Sequence, residues 1–201
     1  MGTPAESSAP LTAPQGALLA RLAVGSVRSR LVGEQAAELA PEPEPLRSPG
    51  ASFVTLERRG RLRGCVGTLQ ATRPLYLDVI RNARRAMADP RLPPVDRTDW
   101  PELDVKVSVL TAPAPLGTSG LDELLAALRP GVDGVLFTDG SRRATFLPAV
   151  WHRLTEPAEF VAALLQKGGW HAGEWPDGLA VHRYQAYEYH DPAPRNPLPG
   201  G

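Results

Sequence analysis

The chain has 201 residues, which is enough for one well-filled domain or for a domain with a smaller lobe. Its 22 basic and 22 acidic residues leave no net charge that would hold nucleic acid or an anionic membrane surface. The single cysteine excludes an internal disulfide, a cysteine-ligated iron–sulfur cluster and a structural zinc site built by this chain alone.

No apolar run approaches the roughly 18 to 20 residues of a membrane-spanning helix, and the N-terminus lacks the pattern of a secretory signal. We therefore expect a cytoplasmic protein without a membrane segment, and the lone cysteine agrees with a reducing compartment. The four histidines are scattered and have no metal-binding spacing, so we predict neither a metal ion nor a cofactor.

The predicted elements begin after an N-terminal tail. Residues 1–14 are rich in Pro, Ala, Ser and Thr, and we expect them to be disordered. Apolar residues recur at helical spacing over residues 15–31, which predicts an amphipathic helix. The prolines of residues 41–45 lack amide donors and restrict their neighbours, so they predict an extended loop.

A β-hairpin follows this loop. Residues 52–56 have the composition of a strand, residues 58–60 supply the reversal, and residues 61–66 return. Because side chains alternate along a strand, the return strand should place its residues on two faces. One face would carry Leu62, Gly64 and Val66, and the other Arg61, Arg63 and Cys65.

Helices and strands then follow one another without a regular alternation. Helical spacing predicts helices near residues 74–88, 121–128 and 157–167, and strict alternation predicts a strand over residues 104–109. A second hairpin is expected from residues 135–138 and 144–147, and a last strand over residues 179–189 precedes a loose Pro/Gly tail over residues 191–201. This order favours an α+β domain over residues 15–190, with a mostly antiparallel sheet flanked by helices.

Cys65 lies between two glycines and follows Arg63 by two residues. Gly64 and Gly67 remove side chains that would otherwise shield the sulfur, so another backbone, a ligand or a partner could come close. Residues two apart in a strand share a face, which puts Arg63 beside Cys65, where a guanidinium would favour the thiolate and hold an anion. The competing interpretation is a buried cysteine that only packs.

A second polar segment places Asp89 and Arg91 around a proline bend. The rigid backbone can aim both side chains, so Asp89 could orient an arginine or take a proton. The alternative is a local ion pair at the exit of a helix, of the kind that contributes only about 0 to 1 kcal/mol at a surface.

The motifs together resemble the AMMECR family, whose prokaryotic members are called AmmeMemoRadiSam system protein A. The resemblance rests on the hairpin segments 53–56 and 62–68, with Val66 where isoleucine is usual, and on residues 89–94, with Leu92 where phenylalanine is usual. Shorter matches occur at residues 107–110, 134–135, 146–148 and 167–169. The resemblance implies two lobes with the cysteine motif near the cleft between them, and it implies a Memo-like protein and a radical-SAM enzyme as partners.

Two functions stay open at this stage. In the first, the chain is an enzyme or enzyme subunit acting on a small anionic metabolite. Its catalytic residues would be Cys65 and Asp89, with ligand contacts from Arg63, Gly64, Gly67, Thr68 and Arg91. In the second, the chain is a non-catalytic binding or adaptor module for a peptide, a metabolite or the two partner proteins. A nucleic-acid role ranks third, because no basic-aromatic pattern repeats.

Overall fold

The computed structural model describes residues 11–34, 41–118, 120–171 and 175–199. The chain forms two compact units, the first from residues up to Leu110 together with those from Tyr187 onward, and the second from Thr111–Ala186. Each unit contains helices and one four-stranded sheet, and the recorded strand pairs are antiparallel. The predicted α+β fold with antiparallel pairing is therefore confirmed.

The first half of the chain contains α1 (Ala13–Val32), α2 (Glu44–Arg47), β1 (Ala51–Arg58), β2 (Arg61–Gly67), α3 (Leu75–Ala86) and β3 (Leu103–Leu110). The second half contains β4 (Ala114–Pro115), α4 (Leu121–Ala127), β5 (Gly134–Thr138), β6 (Arg143–Phe146), α5 (Pro157–Lys167), β7 (Ala180–Tyr184) and β8 (Ala186–Asp191). The strand order is β2-β1-β3-β8 in the first sheet and β4-β7-β5-β6 in the second. Strand β2 is therefore an edge strand of the first sheet.

The core of the first unit is built by α1 and α3 on the sheet. Both helices carry an apolar stripe, because their apolar residues recur every three or four positions. Alternate residues of β1 and β3 point to the same cluster. Its fully buried members include Leu19 and Val27 of α1, Val79 and Ala83 of α3, Val54 and Leu56 of β1, and Val105 and Val107 of β3.

Helix α1 begins at Ala13, two residues before the predicted start. The Thr12 side chain accepts the Gln15 N–H, and the Gln15 side chain accepts the Thr12 N–H at 2.9 Å, which satisfies two donors that the helix itself leaves open. Leu11 is also buried. The disorder expected over residues 1–14 is therefore wrong for residues 11–14, and residues 1–10 lie outside the described residues.

Helix α2 begins at Glu44, so the extended loop predicted for residues 41–45 is wrong for residues 44 and 45. Pro45 lies in the first turn of this four-residue helix, where the missing amide donor has no partner to lose. Leu46 is fully buried and fixes the turn on the core.

The hairpin of β1 and β2 is confirmed, but the pairing of the two strands is irregular at one residue of β2. Arg59 and Gly60 form the turn with φ angles of 51° and 72°. Leu56 then pairs with Gly64 whereas Glu57 pairs with Leu62, so Arg63 is an extra residue without a partner. The prediction that Leu62 shares a face with Gly64 is therefore wrong, and Leu62 is 45% exposed.

The last predicted strand is two strands in different sheets. β7 pairs with β4 and β5 in the second sheet, whereas β8 joins the first sheet beside β3. Gln185 separates the two strands, and its main-chain N–H donates to the Thr111 hydroxyl at 2.9 Å. An alternating sequence does not show where a strand changes sheets.

The C-terminal segment 192–199, predicted to be loose, is bound to the first unit. The Trp100 indole donates to the Asn196 carbonyl at 2.7 Å, and the Arg97 guanidinium donates to the Pro199 carbonyl at 2.8 Å. The Arg195 guanidinium donates to the Leu103 carbonyl at 2.8 Å. Side-chain donors thus hold a segment whose proline content alone indicates a loop.

The second unit has an aromatic core. Trp151 stacks on Phe160 with ring centroids 3.8 Å apart, and the Trp170 ring meets Phe137 edge to face. Trp151 and Trp170 are 3% and 5% exposed, so both tryptophans are part of this core. None of the helices in the described ranges has the length and apolarity that a bilayer crossing requires.

Candidate functional site

The Cys65 thiol lies on the half-buried face of β2, opposite Thr55 of β1. The Thr55 hydroxyl donates to the Cys65 sulfur at 3.2 Å. A two-residue turn followed by a regular ladder would have paired Cys65 with the core residue Val54. The extra residue Arg63 shifts this pairing by one position and gives the sulfur a polar neighbour.

Asp89 and Arg91 clamp the main chain of Cys65. The Cys65 N–H donates to Asp89 Oδ2 at 3.0 Å, and Arg91 Nη2 donates to the Cys65 carbonyl at 3.0 Å. The two side chains also bind each other, with Arg91 Nε 2.9 Å from Asp89 Oδ1 and Nη2 2.6 Å from Oδ2. The ion pair expected at the end of α3 thus also reaches Cys65, and no feature of the sequence indicates that contact.

The Asp89 carboxyl is held in its ionised form. Hydrogen bonds from the Arg91 side chain lower the pKa of Asp89 most, and the main-chain N–H groups of Cys65 and Arg91 lower it further against the opposing effect of burial. Its side chain is only 1% exposed. Asp89 is therefore a poor proton acceptor at neutral pH, and of its two predicted roles the geometry supports that of orienting Arg91.

The Arg91 guanidinium is fixed in place but open to solvent. Hydrogen bonding to Asp89 raises its pKa most, and the nearby Cys65 thiol makes a smaller contribution in the same direction. The side chain is 68% exposed. Its Nη1 has no hydrogen-bond partner among residues 11–34, 41–118, 120–171 and 175–199, so this donor is available to a ligand.

At both glycines of the motif, other atoms of the protein occupy the space that a side chain would need. A Cβ added at Gly64 would overlap the main-chain carbonyl of Ala86 at the end of α3, and one added at Gly67 would overlap the Phe53 ring. Another stretch of backbone, one of the three kinds of group that were expected, therefore approaches at Gly64, and neither glycine leaves open space for a ligand. They allow α3 and Phe53 to pack closely on β2.

Arg63 does not lie against the sulfur as predicted. Its guanidinium binds Asp99 in a two-point pair, with Nε 3.0 Å from Oδ1 and Nη2 2.8 Å from Oδ2, and it also donates to the Pro94 carbonyl. The reason is again the irregular pairing at Arg63, which breaks the strand alternation between this residue and Cys65. The arginine that lies near the thiol is Arg91.

Thr68 belongs to a different polar cluster, centred on the fully buried Asp78. The carboxylate accepts hydrogen bonds from the Thr68 hydroxyl at 2.7 Å, from Ser52 Oγ at 2.8 Å, and from Asn82 Nδ2 at 2.9 Å. Arg73 pairs with its other oxygen at 3.0 Å. These bonds tie the start of β1 to α3, so Thr68 has a structural partner rather than a place beside the thiol.

No described histidine of the first unit serves as a base for Cys65. His190 is on β8, and β8 and β2 are the opposite edges of the first sheet, three strand spacings or about 14 Å apart. His190 instead lies 3.5 Å from Asp104. Within the described ranges, no three His, Cys, Asp or Glu side chains form a group that could hold a metal ion.

Comparison with known proteins gives a consistent family assignment. A protein from Methanothermobacter thermautotrophicus is 34% identical over 91% of this chain and 97% of its own length, and one from Thermofilum pendens is 32% identical over 92% and 93%. The crystal structure of the uncharacterized protein PH0010 from Pyrococcus horikoshii matches with a TM-score of 0.84 and 28% identity, covering 94% of this chain and 97% of that one. The family model AMMECR1 matches residues 20–189. The chain therefore belongs to the AMMECR1 family.

Proposed function

We propose that the chain binds a small anionic ligand at Arg91, with the Cys65 thiol beside the bound anion. The observation that carries the proposal is the fixed, exposed Arg91 guanidinium, which is held by Asp89 and by the Cys65 carbonyl. A guanidinium that is already oriented loses little side-chain entropy when it binds a carboxylate or phosphate group. Asp89 is buried and fully engaged, so the exposed surface of the pair is the cationic one.

The reactivity of Cys65 toward two alkylating agents tests this proposal. Iodoacetate carries a carboxylate and iodoacetamide is its neutral analogue, so the ratio of their rates reports anion attraction beside the thiol. Changes in exposure or ionisation of the sulfur affect both rates and largely cancel in the ratio. We expect this ratio to be higher for the folded protein than for glutathione.

The Arg91→Gln variant should lower the ratio by about tenfold, since hydrogen bonds to charged groups are worth about 1.5 to 3 kcal/mol. Arg81→Gln is the matched control, because Arg81 is an exposed arginine of α3 outside this site. Equal ratios for the Arg91→Gln and Arg81→Gln variants would refute anion binding beside Cys65.

A second candidate is that Cys65 accepts an acyl group. It is favoured by the Thr55 hydroxyl, whose hydrogen bond helps to hold the sulfur in one orientation on the half-buried face of β2. With an acyl phosphate as donor, the sulfur would bond to the acyl carbon, phosphate would leave with the bonding pair, and the thiol proton would pass to solvent.

Mass spectrometry of the intact protein after incubation with acetyl phosphate tests this role. The expected product carries one acetyl group on Cys65 and is absent from a Cys65→Ala variant. Modification of Lys106 or Lys167 alone would contradict the acyl role, because those residues are ordinary amine nucleophiles.

The alternative that the chain is an adaptor for a Memo-like protein and a radical-SAM enzyme stays a prediction. It differs from the enzymatic role in one respect, namely that Cys65 acts only by packing. Cys65→Ser should then complement a deletion strain fully, whereas the acyl role requires loss of function.

A further inference from the structure

A second cationic site lies at the turn of the β1–β2 hairpin. A cavity of about 650 Å³ opens there. Its lining consists of Arg58, Arg59, Arg61, Arg63, Thr98 and Asp99. Among the described residues, no aliphatic or aromatic side chain lines this cavity, in contrast to the mostly apolar pockets that hold drug-like ligands.

The one carboxylate in the lining is already satisfied. Asp99 is 3% exposed, and its Oδ1 accepts hydrogen bonds from Arg63 Nε at 3.0 Å and Arg58 Nη1 at 3.4 Å. Its Oδ2 accepts the Asp96 N–H at 3.1 Å as well as Arg63 Nη2. Asp99 therefore orients two guanidinium groups and offers little free charge to repel an anion.

Two further carboxylates influence the arginines without lining the cavity. Glu102 pairs with Arg58 at 3.0 Å and with Arg59 at 2.6 Å. Hydrogen bonds from Thr98 lower the pKa of Asp96 most, and the nearby Arg63 guanidinium makes a smaller contribution in the same direction. Four guanidinium groups thus face three carboxylates, and the excess of positive charge is concentrated in the lining.

Arg61 differs from the other three arginines of the cavity, each of which has an ion-pair partner. Its side chain is exposed on β2 and makes no hydrogen bond or ion pair with the part of the chain that the structure describes. It stands next to Arg58 in the ladder, where two like charges repel each other. An anion bound in the cavity would relieve this repulsion.

Arg59 occupies a backbone conformation that arginine rarely adopts. Its φ of 51° is in the left-handed region, and hairpin turns of this type favour Asn or Gly there. Its side chain is 74% exposed, so packing does not account for the arginine. The strain is consistent with a side chain that is used for binding.

We propose that this cavity binds a small, multiply charged phosphate compound. Guanidinium groups match phosphate oxygens in two-point hydrogen bonds, and several arginines around one concave site favour more than one phosphate charge. The volume accommodates more than a single orthophosphate. No described ring is available to stack on a nucleobase, so a diphosphate or a sugar phosphate fits the lining better than a nucleotide does.

Calorimetric titration with inorganic pyrophosphate, using the full chain, tests this proposal. We expect saturable binding that weakens by about tenfold in Arg61→Gln and further in the Arg59→Gln, Arg61→Gln double variant, since each removes charge-assisted hydrogen bonds. Arg61 has no described partner, so its replacement leaves the fold intact, which a thermal unfolding curve verifies. Arg81→Gln is the matched control and should bind like the parent chain.

Four outcomes would overturn the proposal. The first is the absence of saturable pyrophosphate binding at millimolar concentration, and the second is that Arg81→Gln weakens pyrophosphate binding as much as Arg61→Gln does. The third is that Arg91→Gln weakens pyrophosphate binding whereas Arg61→Gln does not. The fourth is that the chain binds a single-stranded oligonucleotide but not pyrophosphate. The third outcome assigns the anion to Arg91, and the fourth assigns the arginines to nucleic acid. The alkylation ratios at Cys65 are independent of this titration, so the two anion sites fail or succeed separately.

Discussion

Thr55 and Cys65 face each other across the β1–β2 ladder, with the hydroxyl 3.2 Å from the sulfur. This contact exists only because Arg63 adds one residue to β2. The regular register would have set the sulfur against Val54, which is fully buried. A local irregularity thus gives the one thiol of the chain a hydrogen-bond donor.

Replacing Thr55 by Val should slow alkylation of Cys65 by iodoacetamide about threefold at neutral pH. Valine has nearly the same shape but no hydroxyl, so the attacking sulfur loses a hydrogen-bond donor, and a net contribution of about 0.5 to 1 kcal/mol corresponds to a factor of about 2 to 5 in rate. Stopped-flow or mass-spectrometric rates check this result. Thr72→Val, at an exposed threonine outside the site, should leave the rate unchanged. An unchanged rate in Thr55→Val would mean that the hydroxyl does not assist the sulfur.

Asp89→Asn should lower the free energy of unfolding at neutral pH, and this deficit relative to the parent chain should become smaller at acidic pH. The pKa of Asp89 is lowered in the folded chain, so its stabilising contribution is present above the unfolded value of about 3.9 and is lost as pH falls below it. Urea unfolding at pH values from 7 down to 3 measures the difference between parent and variant. Asp177→Asn, at an exposed carboxyl, is the control and should show little difference at any pH. A deficit that stays constant into acid would contradict the charged role of Asp89.

Gly64→Ala should destabilise the chain by about 1 to 3 kcal/mol or more, because the new methyl group meets the Ala86 carbonyl and main chain cannot easily move away. Gly25→Ala is the matched control, and its effect on stability should have the opposite sign. Gly25 lies inside α1 with nothing near its missing Cβ, so alanine there should stabilise by about 0.5 to 1 kcal/mol. Urea unfolding of the two variants provides the comparison. A neutral Gly64→Ala would show that the motif glycine has room beside it after all.

At alkaline pH, the free energy of unfolding should depend on the ionisation of Tyr184. Burial raises the pKa of Tyr184 to about 12, so its stabilising contribution is present below the unfolded value of about 10 and is lost as pH rises from there toward 12. The parent chain should therefore lose about 2 to 3 kcal/mol over this range relative to Tyr184→Phe. Tyr76→Phe is the control and should follow the parent curve. The difference between the tyrosinate absorbance titrations of the parent and Tyr184→Phe isolates this phenol from the other three tyrosines, and a difference that is complete near pH 10 would contradict the burial effect.

Periodicity in the sequence is sufficient to find most of the elements, because apolar spacing reflects which side of a helix or strand is buried. Helices α1, α3, α4 and α5 and both hairpins are confirmed within a few residues. The exceptions have tertiary causes. Helix α2 depends on the burial of Leu46, and the break at Gln185 depends on bonds to Thr111, which is far away along the chain.

The candidate site is less apparent from the sequence than the fold is. The motif itself directs attention to Cys65, and the proline bend to Asp89 and Arg91, and the structure brings these three together. The register shift at Arg63 has no signature in the sequence, and Asp99, the partner that Arg63 contacts there, lies 36 positions further along the chain. The missing side chains of the glycines are visible in the sequence, but the groups that fill the space are not.

The clamp on Cys65 has a consequence for the free edge of the first sheet. Strand β2 ends that sheet, and an open edge is a template on which another polypeptide can pair. Asp89 and Arg91 occupy the N–H and the C=O that Cys65 would offer to such a strand. The same pair that fixes the guanidinium thus removes Cys65 from the groups on which another strand could pair, and it does so with side chains instead of an additional strand.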